Sequence, residues 1–593
     1  MKNFKKKMLQ IFMSAIFIGG LATSGVTINA QDSGTFQGEG AGAHGPIKVE
    51  ITVTDGQLEK IEVLEQEENE LLAAPAFESL PDKMIADNST DVDVVSGSTE
   101  TSEGLIEAVN DALKAAGISL VAKSNSEDAE DDNGEVTEET YDVVIIGAGG
   151  AGLSAGIEAA DAGKSVVLLE KMPVIGGNTL ISGGEMNAPN NWVQENLGIS
   201  KKDSVELYYE DTMKGGNNVA DPEIVQILAE NALASAEWLR DEVGVEFYDD
   251  QLFYFGGHTV ERALIPKGHT GQELIIKLKE KADSLDVVTL VNTKAEHILQ
   301  DDSGTVNGVQ AVDKDGNELI FHANDGVIIT SGGFGSNVEM RKEANPEYDE
   351  AYLSTVTVGS TGDGLVMAEE VGATLTNMES IQTYPVSNPE TGRISLLADT
   401  RFDGAILVNQ EGERFVEELE RRDVISKAIL EQTGEYAYQL WNDELDQISN
   451  SKELHEGEYN ELLESGFLAV GDSLEEVANH FDIDPEALEE TVEKVNEYAE
   501  KGEDKDFNHR GGLHSLENGK YYLMKCKPSV HHTMGGVVIN KSTEILDEEG
   551  NPIENLYGAG EVTGVIHGEN RLGGNAISDA ITFGRIAGQE IAK

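Results

Sequence analysis

The sequence predicts an α/β protein in two parts: a small N-terminal α+β unit, then a larger region built as a parallel-sheet nucleotide domain. Three observations predict it. Apolar residues alternate with polar ones around residue 50, an acidic stretch around residue 130 is nearly free of large apolar groups, and a strand, glycine loop and helix follow one another from Tyr141. The length of 593 residues exceeds what one domain needs, and 39% apolar composition supplies sizeable cores. A formal charge of −68, spread along the whole chain, excludes nucleic acid as a partner. The single cysteine, Cys526, excludes a disulfide framework, a cysteine-rich zinc cage and a C-x-x-C-H haem attachment.

Taken in order, Lys2 and Lys5 to Lys7 precede an apolar stretch from Met8 to Leu21 and small residues ending at Ala30. This is the pattern of an export signal over residues 1–30, cleaved after Ala30. The run falls short of the ~20 apolar residues of a membrane span, and no cysteine near the cleavage site offers a lipid anchor. The protein is expected outside the cytoplasm, extracellular, at the cell surface or on the periplasmic side. Residues 34–120 form the α+β unit, with strands at Ile47 to Val53 and Lys60 to Val63 and a helix from Thr101 to Ala116. Residues 121–139 are an acidic linker with no packed structure expected. Strand Tyr141 to Ile146 opens the second region, followed by a helix to about Ala162 and a strand from Ser165 to Leu169.

The loop after the first of those strands is Gly147-Ala148-Gly149-Gly150-Ala151-Gly152. A lone G-x-G-x-x-G is weak, but a strand before it and a helix after it make it a Rossmann-like dinucleotide fingerprint. Gly147 permits the turn, Gly149 admits a pyrophosphate to the backbone, and Gly152 lets helix and strand pack. Glu170, 18 residues beyond Gly152, ends the next strand and suits ribose hydroxyls. In the first part, Asp93-Val94-Val95-Ser96-Gly97-Ser98-Thr99 precedes a helix. On physics alone this is ordinary capping by Ser96, Thr99 or Thr101. The segment nevertheless resembles the D-x-x-S/T-G-A-T signature of FMN-binding domains, with Ser98 in place of the usual alanine. That resemblance implies FMN attached covalently through Thr99 by a flavin transferase.

Further turns suit a long cofactor: Gly176-Gly177-Asn178-Thr179, Gly558-Ala559-Gly560-Glu561 and Asn575-Ala576-Ile577. With Thr361-Gly362-Asp363-Gly364, Val530 to Gly536 and His567 to Asn575, residues 140–593 resemble the flavoprotein family of fumarate reductase and succinate dehydrogenase, especially the soluble flavocytochrome c fumarate reductases. The resemblance implies non-covalent FAD held by Gly147, Ala148, Gly149, Gly152, Glu170, Lys171, Gly176, Gly177, Asn178, Thr179, Gly362, Asp363, Gly364, Glu561, Asn575, Ala576 and Ile577. It also implies a Rossmann-like FAD domain split into 140–378 and 533–593 around an inserted α+β capping domain, 379–532. No haem domain is present, so electrons are expected to enter through FMN from an extracellular or membrane donor.

In that family a histidine and an arginine bind the carboxylate beside the reacting double bond, matched here by His531 and Arg571; Arg422 matches the arginine that protonates the α-carbon. Read without the family, Arg422 is a surface ion pair with Asp423 or Glu418. Family fumarate reductases place a histidine where this chain has Tyr384, and a threonine helps it hold a second carboxylate where this chain reads Leu396 to Arg401 with Asp399. An aspartate is a poor host for a carboxylate, whereas tyrosine and aspartate suit an NH-bearing ring. The fifteen-residue spacing of Tyr384 and Asp399 is similar to the family's urocanate-reducing subgroup. Asp399 is then the imidazole anchor, or else part of a proton relay through Arg401 to Arg422. Glu185 is a second carboxylate near the ring or a solvated loop charge. No histidine set has metal-site spacing, and no metal is assigned. The implied function is a flavin-dependent reductase turning urocanate into imidazole propionate. The alternatives are reduction of fumarate, cinnamate or methacrylate, and a pure electron-transfer protein.

Overall fold

A computed structural model describes residues 33–593 apart from 43–44, 55, 67, 93, 96–97, 119, 121–135 and 200–201. The expected export signal therefore lies outside the described residues, as does most of the acidic linker. Among the described residues no helix is long and apolar enough to cross a membrane.

The N-terminal unit is an antiparallel sheet of Gly34–Ala41, Pro46–Thr54 and Gln57–Glu65, covered by helix Thr99–Ala116. Alternation is the cause: Ile47, Val49, Ile51 and Val53 point inward against Leu105, Ala108, Val109 and Ala112. The helix lies so close that a Cβ on Gly38 or Gly40 would come within 2.2 Å of the Ala108 carbonyl or 2.1 Å of the Gly104 carbonyl. A helix at Glu70–Asp87 was not among the expected elements, because Pro75 and Pro81 fall inside it. Its buried Ala73, Ala76, Leu80 and Met84 nevertheless follow helical spacing.

The main sheet runs Glu544–Leu546, Pro552–Gly558, Glu318–Ile329, Thr137–Ile146, Val166–Leu169 and Val288–Leu290, with Val306–Val312 also on Glu318–Ile329 and Lys294–Gln300 on Val306–Val312. Four of its pairings are parallel, and Val143–Ile146, Val166–Leu169 and Val327–Ile329 are buried apolar runs. Strand Thr137–Ile146 starts within the stretch expected to be linker. Glu138 and Thr140 pair with Ile320 and His322, so backbone pairing overrides the acidic composition there. Helices Gly150–Asp161 and Asn575–Ile591 pack in close contact: a Cβ on Gly584 or Gly588 would fall 2.4 Å or 2.2 Å from the carbonyls of Ala151 or Ala155.

A second sheet, wholly antiparallel, joins Ile381–Ser387, Tyr521–Thr533, Ala437–Asn442 and Ile406–Val408, with Leu468–Gly471 also on Tyr521–Thr533. It has its own core around Trp441, which stacks on Tyr522 at 5.3 Å, with Leu440, Leu523 and Met524. Tyr521–Thr533 is the central strand, and its last residues pair with Ile381–Ser387.

Candidate active site

One cleft runs from the Gly147–Gly150 loop to His531 and Arg571. At the loop end it is lined by Gly147, Gly149, Glu170, Lys171, Gly176, Gly177, Asn178, Thr179 and Asp363; farther along by Glu561, Ala576 and Ile577. Ala148, Gly152, Gly362, Gly364 and Asn575 do not line it. Gly152 serves packing instead, since a Cβ there would lie 2.0 Å from the Gly147 carbonyl. The Asn575 amide is spent internally, donating to Thr212 and accepting from Asn187 and Tyr208. Glu170 accepts the backbone N–H groups of Ala148 (3.1 Å) and Met172 (2.8 Å), and burial pushes its carboxyl upward. Lys171 pairs with Asp363 at 2.7 Å, joining two chain segments at the mouth of the cleft.

The two long helices that start at this cleft, Gly150–Asp161 and Asn575–Ile591, have no side-chain cap. Helices starting elsewhere, at Asn191, Ser204, Asp221, Asn442 and Ser473, are capped by those side chains. Gly150 N–H lies 3.4 Å from Thr179 Oγ1 and Asn575 N–H donates to the Leu572 carbonyl, so these helix starts face the cleft with part of their donors available to an anionic or carbonyl-bearing ligand.

At the far end Arg422, Arg571 and His531 come together. Arg422, the first residue of helix Arg422–Leu430, donates to Nε2 of His531 at 2.8 Å, and its guanidinium carbon lies 5.0 Å from the Tyr384 ring and 5.7 Å from Phe255. The surface-pair reading fails here because both candidate acids are taken: Asp423 pairs with Arg421 and Glu418 with Arg414, each at 2.7 Å. Arg571 is buried, donates only to the Leu572 carbonyl, and keeps an unpartnered Nε. No carboxylate among the described residues lies within ion-pairing distance of either arginine. Burial pushes both guanidiniums down, each helped by a neighbouring arginine, and burial with the two arginines drives His531 well below the usual imidazole range. The result is two cations and a neutral ring facing one space.

The Arg571 turn is held from two sides. Gln382 Nε2 donates to Asn570 Oδ1 and to the Arg571 carbonyl, both at 2.6 Å. On the other side Arg262, fully buried between Asp203 and Asp211, donates to Nδ1 of His258 (2.7 Å), leaving the His258 Nε2–H for the Gly573 carbonyl (3.2 Å).

Tyr384 is buried, with its ring 5.2 Å from that of His531. Asp399 sits in the turn Leu397–Asp403 with Oδ2 unpartnered. Neither lines the main cleft; Glu185 does. Burial, then the Glu185 charge, raise the Asp399 carboxyl well above its usual range, and burial raises Glu185. The Glu185 charge thus reaches Asp399, and Arg422 acts on both acids.

A family profile described as FAD binding domain matches residues 142–577, and one described as FMN-binding domain matches residues 42–114. The chain is 41% identical to a urocanate reductase of Eggerthella lenta over 97% of this chain and 96% of that one. It is 40% identical to a fumarate reductase (cytochrome) of Shewanella frigidimarina over 77% of each. The chain belongs to the fumarate reductase family of FAD flavoproteins. The open conformation of a flavocytochrome c3 fumarate reductase superposes with a TM-score of 0.63 at 36% identity, covering 77% of this chain and 78% of that one. Members of this family are FAD-dependent oxidoreductases acting on carbon–carbon double bonds, and this chain adds an FMN-binding domain.

The cleft fits the family's cofactor on its donor set: uncapped helix starts for phosphate and ring carbonyl, and a buried acid at the strand end for ribose. His532, inside the Val530–Gly536 motif, also lines it, as do residues absent from the sequence reading, Thr330, Ser331 and Gly332 at the end of Glu318–Ile329. The signal for these three was available, since Thr-Ser-Gly-Gly follows an apolar strand. Nothing local marks Phe255. Thr99 is the first residue of helix Thr99–Ala116.

Proposed function

We propose that the protein is a urocanate reductase, adding two electrons and two protons across the acrylate double bond to give imidazole propionate. The observation that carries the reading is the pair of buried arginines without an ion-paired carboxylate beside a neutral histidine, with the buried Asp399 and Glu185 carboxyls nearby. An ionised carboxylate supplies the missing negative charge to Arg571, Arg422 and His531. When bound, reduced FAD supplies a hydride to the β-carbon. As that carbon gains hydrogen, charge moves onto the substrate carboxylate, which Arg571 and His531 would hold by fixed donors. Arg422, depressed by burial, donates the proton to the α-carbon. Tyr384 and Phe255 flank the Arg422 guanidinium and fix its position. Asp399 and Glu185 would accept the imidazole N–H groups; a second carboxylate in their place would face like charge and desolvation together.

The matching urocanate reductase relative supports the same substrate. The test is anaerobic reoxidation of the reduced holoprotein by urocanate, fumarate and cinnamate, followed by flavin absorbance. Rapid reoxidation by urocanate with slow reoxidation by fumarate is expected; the reverse ranking would overturn the reading. We further propose export with loss of residues 1–30, and entry of electrons through FMN joined to Thr99 by a flavin transferase from an extracellular or membrane donor. Mass spectrometry of flavin-bearing peptides tests attachment, and Thr99→Ala is expected to abolish it while FAD remains.

A further inference from the structure

Thr355 is 5% exposed and pinned by its own backbone, whose N–H donates to the Val530 carbonyl at 2.8 Å beside the bridge between Ser354 and Val530. Its Oγ1 lies 2.6 Å from Nδ1 of His531. The other ring nitrogen, Nε2, faces Arg422 at 2.8 Å. A guanidinium can only donate, so Nε2 must accept, and the single proton of the neutral ring sits on Nδ1, donated to the Thr355 hydroxyl. An ionised carboxylate can only accept. The ring that greets such a substrate must therefore present Nε2–H, the opposite tautomer.

We propose that Thr355 is a positioning residue whose hydroxyl lets His531 exchange tautomers when the substrate carboxylate arrives. This rests on the reading that His531 binds that carboxylate. In the free protein the hydroxyl accepts from Nδ1–H. On binding, Nδ1 loses its proton to water, Nε2 gains one, and the hydroxyl turns to donate to the bare Nδ1. No net proton is taken up and both ring nitrogens stay partnered throughout. A hydroxyl is suited to this because it serves as donor or acceptor in one place. The alternative, a doubly protonated ring, is opposed by its surroundings. The titratable or charged groups around it are Arg422 from helix Arg422–Leu430, Arg571, Tyr384 and the adjacent His532, and the two arginines disfavour a third cation.

The experiment uses fully oxidised holoprotein with 15N-labelled histidine, in which urocanate binds without turnover. The ring nitrogen shifts of His531, assigned by its absence in His531→Ala, are expected to exchange: Nδ1 protonated without ligand, Nε2 protonated with urocanate. An unchanged Nδ1–H ring, or a doubly protonated one, overturns the proposal. In parallel, Thr355→Val removes the hydroxyl at nearly constant volume. Its urocanate Kd is expected to weaken about tenfold with FAD content unchanged, because water reaches a displaced ring in the open cleft but not in the filled one. Thr355→Ser should restore binding to within about twofold of the parent. A valine variant that binds as tightly as the parent also overturns it, and if that variant loses FAD the labelled ring alone decides. Should His531→Ala leave urocanate affinity unchanged, the carboxylate assignment itself falls. Lost affinity in that variant with no tautomer exchange sinks only the role of Thr355.

Discussion

Arg422 shows how far a single residue can be read from its neighbours in sequence. Beside Asp423 and four residues from Glu418, it looks like half of a surface ion pair; each acid instead has an arginine of its own, and Arg422 turns inward to His531. Its direction was legible only through the motif it resembles, since nothing in a local window says which of Arg421 and Arg422 takes Asp423. Replacing Arg422 or Arg571 by alanine is expected to lower kcat about 10²–10³-fold or more, the cost of removing one fixed donor from a developing charge. Stopped-flow reoxidation with flavin content as control measures it. Tyr384 and Asp399 are readable as types but not as positions. The sequence suggests a ring anchor, and the fold brings the charge of Glu185, more than two hundred positions away, to bear on Asp399. Tyr384→His combined with Asp399→Thr is expected to raise the ratio of fumarate to urocanate turnover by at least about tenfold, the scale of one lost charge-assisted hydrogen bond. Parallel kcat/KM measurements on the two substrates would show it.

Elements were legible where period and punctuation agreed. The strand, glycine loop and helix around Gly147 are predicted and observed within a few residues, because tight turns and close packing leave few choices there. Helix Glu70–Asp87 was obscured by its two prolines, and strand Thr137–Ile146 began inside an acidic run because its partner strand supplies the pairing. Gly152→Ala would set a methyl 2.0 Å from the Gly147 carbonyl, so the expected outcome is purified protein depleted of FAD, read from the ratio of flavin to protein absorbance. At the turn that carries Asp399, Glu458 accepts from Ser395 Oγ and from the N–H groups of Leu396 and Leu397. Burial nevertheless pushes its carboxyl up to about 7. An acid raised in the folded state favours folding while protonated, so its contribution is complete below the ordinary glutamate value and is lost as pH rises through about 7. Relative to Glu458→Gln, the parent protein is expected to lose Tm as pH goes from 5 to 8, by an amount worth up to a few kcal/mol. A constant difference across that range would show that the carboxyl ionises freely.

For the whole molecule, 110 acidic residues against 42 basic ones make self-repulsion a general term rather than a local one. Raising sodium chloride from about 10 mM to 200 mM shortens the Debye length to within ~10 Å and is expected to raise Tm, as calorimetry would record. The division into a small sheet domain and a large parallel-sheet region was legible from composition and loops. That the second region holds a further sheet with its own core was legible only through the family resemblance, which implied an inserted capping domain at 379–532, because Ile381–Ser387 and Tyr521–Thr533 lie far apart in sequence and pair only in space. This pairing has a mechanical side. Tyr521–Thr533 belongs to the antiparallel sheet and carries His531 near its end, while Arg571 leads into the last helix of the other layer, and Gln382 already ties that turn to the neighbouring strand. A molecule grasped by His531 and Arg571 together acts as a bolt through two plates, so the lobes gain rigidity from the same contacts that ready the substrate for reduction.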